Sequence, residues 1–102
     1  MKQTLIQQNI TLHNLQQFIK IKDNNPKRKN VYFQKLIEEV GELAVVLRKD
    51  KRLEDTGIIK GTIEEELYDV LYYVLAIANS HNIDMEECFR LKEQYKQEKK
   101  KK

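Results

Sequence analysis

Apolar positions along this chain recur with the spacing of helices rather than strands. Leu12, Leu15 and Ile19, with Phe18 adjacent, share one side of a helix of about three turns, and Lys22 stands in phase with them. Thr11 is placed to cap that helix, and Asp23-Asn24-Asn25-Pro26 ends it, because proline disfavours helix in the residue before it. Before Thr11, Leu5, Ile6 and Ile10 follow no clear period. A basic patch, Lys27-Arg28-Lys29, leads into a second helix expected from about Val31 to Arg48, with Phe33, Leu36, Val40, Leu43 and Leu47 as its core stripe. Gly41 inside that helix costs up to ~1 kcal/mol relative to alanine. It suggests either a close backbone approach at the neighbouring acids or a neutral packing reason. Asp50 to Gly61 reads as a charged connector. Thr62 with Glu65 forms a capping box that opens a third helix running to about Ser80, and Asp84 with Glu87 forms another. The fourth helix carries Met85, Cys88, Phe89, Leu91 and Lys92. The expected architecture is all-α, a single domain over 1–102 shaped as a small four-helix bundle. Residues 1–10 form an extension and 96–102 a lysine-rich tail.

The third helix is the least ordinary. From Leu67 to Ala78 its only charged residue is Asp69. A helix apolar on most sides needs neighbours on most sides, which points to an oligomer, a homodimer or homotetramer, with helix faces buried between subunits. Charge adds little: the net +3 belongs to the tail, where five of the last seven residues are lysine, and the remainder is slightly acidic. That tail reads as a helix end rather than a nucleic-acid arm, so no nucleic-acid partner is expected. A single cysteine, Cys88, excludes an internal disulfide and fits a reducing compartment. With no long apolar run and no signal-peptide core, the protein is expected to be cytoplasmic, with no membrane partner.

The candidate chemistry lies in carboxylates. Glu39 with Glu42, and Glu66 with Asp69, stand three apart and share helical faces; Glu38, Glu39 and Glu42 fall within an arc of roughly 100°. Lys35 could pair with Glu39 four residues on, yet Glu38 and Glu42 repel at the same spacing. Nothing adjacent neutralises Glu66 or Asp69, and a buried carboxylate needs a partner or a metal. Carboxylates without histidine or cysteine suit Mg²⁺, Mn²⁺ or Ca²⁺, and His13 and His81 are out of phase with both pairs. Mg²⁺ held by a few carboxylates usually keeps waters and binds substrate phosphates, so the pairs suggest hydrolysis at a phosphate. Zinc-protease and phosphate-loop motifs are missing.

These residues resemble the MazG-like, all-α nucleoside triphosphate pyrophosphohydrolases. The family pattern Glu-Glu-x-x-Glu followed by Glu-x-x-Asp is matched by Glu38, Glu39 and Glu42 and by Glu66 and Asp69, and the similarity runs from about Thr11 to Lys92. The resemblance implies Mg²⁺-dependent (or Mn²⁺-dependent) cleavage of a nucleoside triphosphate to monophosphate and pyrophosphate, as in nucleotide-pool housecleaning. It implies that Glu39, Glu42, Glu66 and Asp69 bind metal and that Glu38 bridges a further metal or positions the attacking water. Tyr73 matches a tyrosine that some relatives carry one turn beyond the aspartate, and Lys92 a lysine of their last helix, which makes both candidate phosphate contacts; a core aromatic is the other reading of Tyr73. By position Tyr73 also projects on the side of Glu66 and Asp69.

The chain departs from many relatives after Lys92, where Lys96 and Gln97-Glu98-Lys99 stand in place of an asparagine and arginines. It also lacks the tryptophans that some relatives use around the base. Two alternatives stay open: a phosphoribosyl-ATP pyrophosphohydrolase-like enzyme, and a non-catalytic helical module that binds nucleotide or a partner.

Overall fold

Side-chain caps and left-handed turns set the helix boundaries. The computed structural model describes residue 6 and residues 8–100, and its helices are α1 (Leu12–Lys22), α2 (Lys29–Lys49), α3 (Leu53–Thr56), α4 (Ile63–Ser80) and α5 (Met85–Lys100), with a 3₁₀ turn over Pro26–Arg28. Thr11 accepts a hydrogen bond from the Asn14 amide at 3.0 Å, as its place before α1 predicts. Thr62 caps α4 through the Glu65 amide at 3.2 Å. The reciprocal half of that box is displaced by one residue, because the Glu65 carboxylate accepts from the Gly61 amide at 2.7 Å. The expected box at α5 does not close: Asp84 accepts from the Glu86 amide, while Glu87 turns to Arg90.

The connector holds a helix the four-helix expectation lacks. α3 is a single turn ended by Gly57 at φ 74, and its Leu53 amide donates to Glu64 of α4 at 3.0 Å. The Ile63 amide donates to the Lys51 carbonyl at 2.8 Å and closes the connector, so α2 and α4 lie antiparallel. Ile19, Tyr32, Leu75 and Ala76 form the buried core between α1, α2 and α4.

At the far end of α4 the buried amides of Gln16 and Asn79 tie three helices together. Gln16 Nε2 donates to Asn79 Oδ1 at 3.0 Å and to the Ile83 carbonyl at 2.6 Å, and its Oε1 accepts from the Met85 amide. Asn79 Nδ2 donates to the Gln16 carbonyl at 3.1 Å. Asp23, just past α1, accepts from the phenols of Tyr32 at 2.8 Å and Tyr72 at 3.3 Å. α5 packs against α1 through its first turns, and every residue from Phe89 to Lys100 is exposed. The lysine tail is helical through Lys100; Lys101 and Lys102, like Leu5, lie outside the described residues. No helix among the described residues is long and apolar enough to cross a membrane.

Two expectations for α2 are corrected. Its inward stripe is Tyr32, Leu36, Glu39, Leu43 and Val46, whereas Phe33, Val40 and Leu47 are exposed. The stripe is turned by about 60° from the one read off the sequence, which brings Glu39 to face α4. Gly41 is exposed, and a Cβ built on it meets nothing within 4 Å, so no backbone from another element among the described residues approaches it. α4 is likewise not covered all round. Helical geometry puts its exposed Leu67 and Leu71 on the same side of the α2–α4 pair as Phe33, Ile37, Val40 and Leu47, away from α1.

Candidate metal centre

The turned stripe of α2 and the first two turns of α4 bring three carboxylates together. One oxygen each from Glu39, Glu66 and Asp69 lie within 4.8 Å of one another. Glu66 is buried at 6 % exposure, and its Oε2 has no hydrogen-bond partner. Glu39 and Asp69 are half-buried, and Glu38 and Glu42 are exposed on the flank of α2 beside them. None of the ion pairs among the described residues includes any of these five acids.

Desolvation and mutual repulsion hold the cluster's carboxyls above their ordinary range. Burial is the first cause at Glu66, followed by the charges of Glu39, Asp69 and Glu42, and together they push its carboxyl up to about 7. Glu39 is raised by burial, then by Asp69 and Glu42; Lys35 acts in the opposite direction through space without forming an ion pair. Asp69 is raised by burial, then by Glu65 and Glu42. Glu65 caps α4 through Gly61, which keeps it structural, as its place in the capping box suggests.

These residues fit a hard divalent cation. The donors are all carboxylate oxygens, and an ionised carboxylate left unpaired inside a protein costs several kcal/mol. A cation among Glu39, Glu66 and Asp69 would remove that cost and partner the orphaned Oε2.

Beside the acids runs a groove of about 340 Å³ lined by Lys22, Glu39, Tyr68, Asp69, Tyr72 and Tyr73. Tyr73 therefore stands where its phase with Glu66 and Asp69 put it. Its phenol is raised by burial, then by Asp23, Glu39 and Asp69, and so stays a hydrogen-bond donor at neutral pH. Tyr68, Tyr72 and Tyr73 form an edge-to-face series with ring centres 6.2 and 5.1 Å apart. Lys92 is not among the groove's lining residues: it is exposed on α5, with its ammonium over the Tyr95 ring at 5.7 Å. Sequence reasoning gave no role to Tyr72 or Lys22. The signal for Lys22 was a lysine in phase with the apolar side of α1.

The sequence profile of the MazG nucleotide pyrophosphohydrolase domain matches residues 27–101, which hold all five acids. Among curated proteins none matches the chain at a significant level. Two crystal structures of iMazG from Vibrio DAT 722 are similar over nearly their whole length. The C-terminally tagged form is 46% identical with a TM-score of 0.79, covering 86% of this chain and 99% of its own. The N-terminally tagged form is 45% identical with a TM-score of 0.80, covering 88% and 97%. Profile, identity and fold coincide on the two helices that carry the acids, and the chain belongs to the MazG nucleotide pyrophosphohydrolase family.

Proposed function

We propose that the protein is a Mg²⁺-dependent pyrophosphohydrolase that cleaves a nucleoside or deoxynucleoside triphosphate to monophosphate and pyrophosphate, serving the nucleotide pool in the cytoplasm. The observation that carries this reading is the buried, unpartnered Glu66 carboxylate facing Glu39 and Asp69 across two helices. Glu39, Glu66 and Asp69 hold the metal, and Glu42 joins them from the exposed flank of α2. Bound there, Mg²⁺ neutralises phosphate oxygens and lowers the pKa of water. Glu38, exposed on the same flank, accepts a proton from the attacking water, whose oxygen bonds to the phosphorus nearest the sugar as the anhydride bond from that phosphorus breaks and pyrophosphate leaves. Tyr73 donates from its phenol to a phosphate oxygen. Lys92 reaches substrate only by closing toward the groove or from a neighbouring subunit.

The test is a panel of nucleoside and deoxynucleoside triphosphates, with phosphoribosyl-ATP, assayed with and without Mg²⁺ for pyrophosphate against orthophosphate. Pyrophosphate release that needs the metal supports the reading. Orthophosphate with a diphosphate product would sink it, because the attack then falls on the wrong phosphorus.

A homo-oligomer is part of the same proposal. Phe33 (57 % exposed), Ile37 (55 %), Val40 (46 %) and Leu47 (53 %) form an uncovered strip beside Leu67 and Leu71. Contiguous apolar surface of this kind marks an interaction site, and a second copy offers the matching strip. Light scattering should give a dimer or tetramer at micromolar concentration; a stable monomer would contradict it.

A further inference from the structure

The groove beside the acids has one cationic wall. Of its six lining residues only Lys22, the last residue of α1, carries positive charge. Its ammonium lies over two ring faces, 5.9 Å from the centre of Phe18 and 5.8 Å from that of Tyr72. It enters no ion pair among the described residues. The adjacent carboxylate, Asp23, is already engaged by the phenols of Tyr32 and Tyr72. Aromatic faces attract a cation without neutralising it, so the ammonium keeps its charge for a ligand while the rings fix its place. Glu39 and Asp69 form the opposite chemistry in the same groove.

A ligand that suits both sides carries several negative groups on a short chain. Some meet a cation held by the acids, and others meet the ammonium directly. We propose that Lys22 is a phosphate-binding residue of this enzyme, holding the polyphosphate chain of the substrate and the pyrophosphate it becomes. The proposal rests on the pyrophosphohydrolase reading, and it adds α1 to the two helices that build the site. Lysine serves such a role as a point charge, with no demand for the planar geometry of arginine.

The test uses the full chain with Lys22→Met, Lys22→Gln and Lys22→Arg. Methionine keeps an apolar stem over Phe18 and Tyr72, glutamine keeps a polar end, and both lack the charge. A charge-assisted hydrogen bond contributes ~1.5–3 kcal/mol, or ~10- to 100-fold. Both neutral variants should therefore raise KM for the triphosphate, and the inhibition constant of inorganic pyrophosphate, by at least ~10-fold. Lys22→Arg should restore most of both. The rise in melting temperature on adding Mg²⁺ alone should match wild type in all three, since Lys22 forms no ion pair with an acid of the cluster. Pyrophosphate inhibition unchanged in both neutral variants overturns the proposal and leaves the functional reading intact. So does a Lys22→Arg variant as impaired as Lys22→Met, which would assign the effect to shape. A wild-type protein that releases no pyrophosphate from any nucleotide overturns the functional reading first, and this inference with it.

Discussion

α4 carries a buried polar cluster near each end, and the two are built on opposite terms. Near its C-terminus, the amides of Gln16 and Asn79 satisfy one another and the nearby backbone. Near its N-terminus, Glu66 lies with the acids Glu39 and Asp69 and leaves an oxygen unpartnered. Satisfied polar groups fix the relative positions of packed helices. Clustered charges of one sign repel, and burying them unpaired costs the fold stability. One helix thus anchors its bundle at one end and gathers unpaired carboxylates at the other.

The largest effect that would sharpen this contrast is on activity. Glu66→Gln and Asp69→Asn should each lower kcat/KM by ~10²-fold or more, since even outer residues of metal sites typically contribute 10–100-fold. In excess chelator at pH 8 both should nevertheless melt higher than wild type, and Mg²⁺ should raise the wild-type melting temperature by more than theirs. Identical melts for wild type and both variants, with and without Mg²⁺, would erase the distinction between the two ends of α4.

At the amide end the sign reverses. Asn79→Ala strips Gln16 of its side-chain partner and opens a small cavity, so it should destabilise by ~2–3 kcal/mol with or without Mg²⁺. Urea denaturation reads this directly. A loss below ~0.5 kcal/mol would mean that the amide pair anchors nothing.

A pH series separates the ends more finely. The Glu66 carboxyl has an ordinary value of 4.5 and lies at about 7 in the fold. Between those values the folded protein keeps a proton that the unfolded chain has released. Stability without metal is therefore full below pH 4.5, falls as pH rises toward 7, and is level above. Glu39 and Asp69, also raised, act with the same sign. Relative to Glu66→Gln, wild type should lose roughly 3 kcal/mol across this window. Chelator-treated samples unfolded at pH 5 and pH 8 provide the measurement, and parallel stabilities at both would remove the electrostatic cost.

The smallest effect is a control on α2 itself. Gly41 lies in open space on the acid-bearing helix. Gly41→Ala should stabilise by up to ~1 kcal/mol, as expected for an exposed helix position, and leave the response to Mg²⁺ unchanged. Destabilisation, by thermal melt at several protein concentrations, would place a neighbouring subunit against that position.

Much of this is legible in the sequence. Thr11 and Thr62 announce helix starts, and the acid pairs declare themselves by spacing on a helical face. The rotation of α2 was hidden because two apolar strips run side by side, and Leu36 and Leu43 fit a stripe drawn through Phe33 as well as one drawn through Tyr32. Single-sequence periodicity reports that a strip is apolar, not whether its partner lies in the same chain. α3 is too short to show a period. Gln16 and Asn79 meet across 63 residues, and nothing local in either segment signals the pairing. Lys22 offered its clue as an exception, a charge in phase with an apolar side.

The tyrosine series gives the site its own optical reporter. The chain has no tryptophan and five tyrosines, so no indole drains their emission. Three of the five, Tyr68, Tyr72 and Tyr73, line the groove beside the carboxylates. Ionised carboxylates quench a nearby phenol, and a cation or nucleotide arriving among them alters that quenching. Ultraviolet fluorescence of the untouched protein should therefore follow occupancy in real time. Tyr32 and Tyr95 do not line the groove, so the change in emission is read against their contribution.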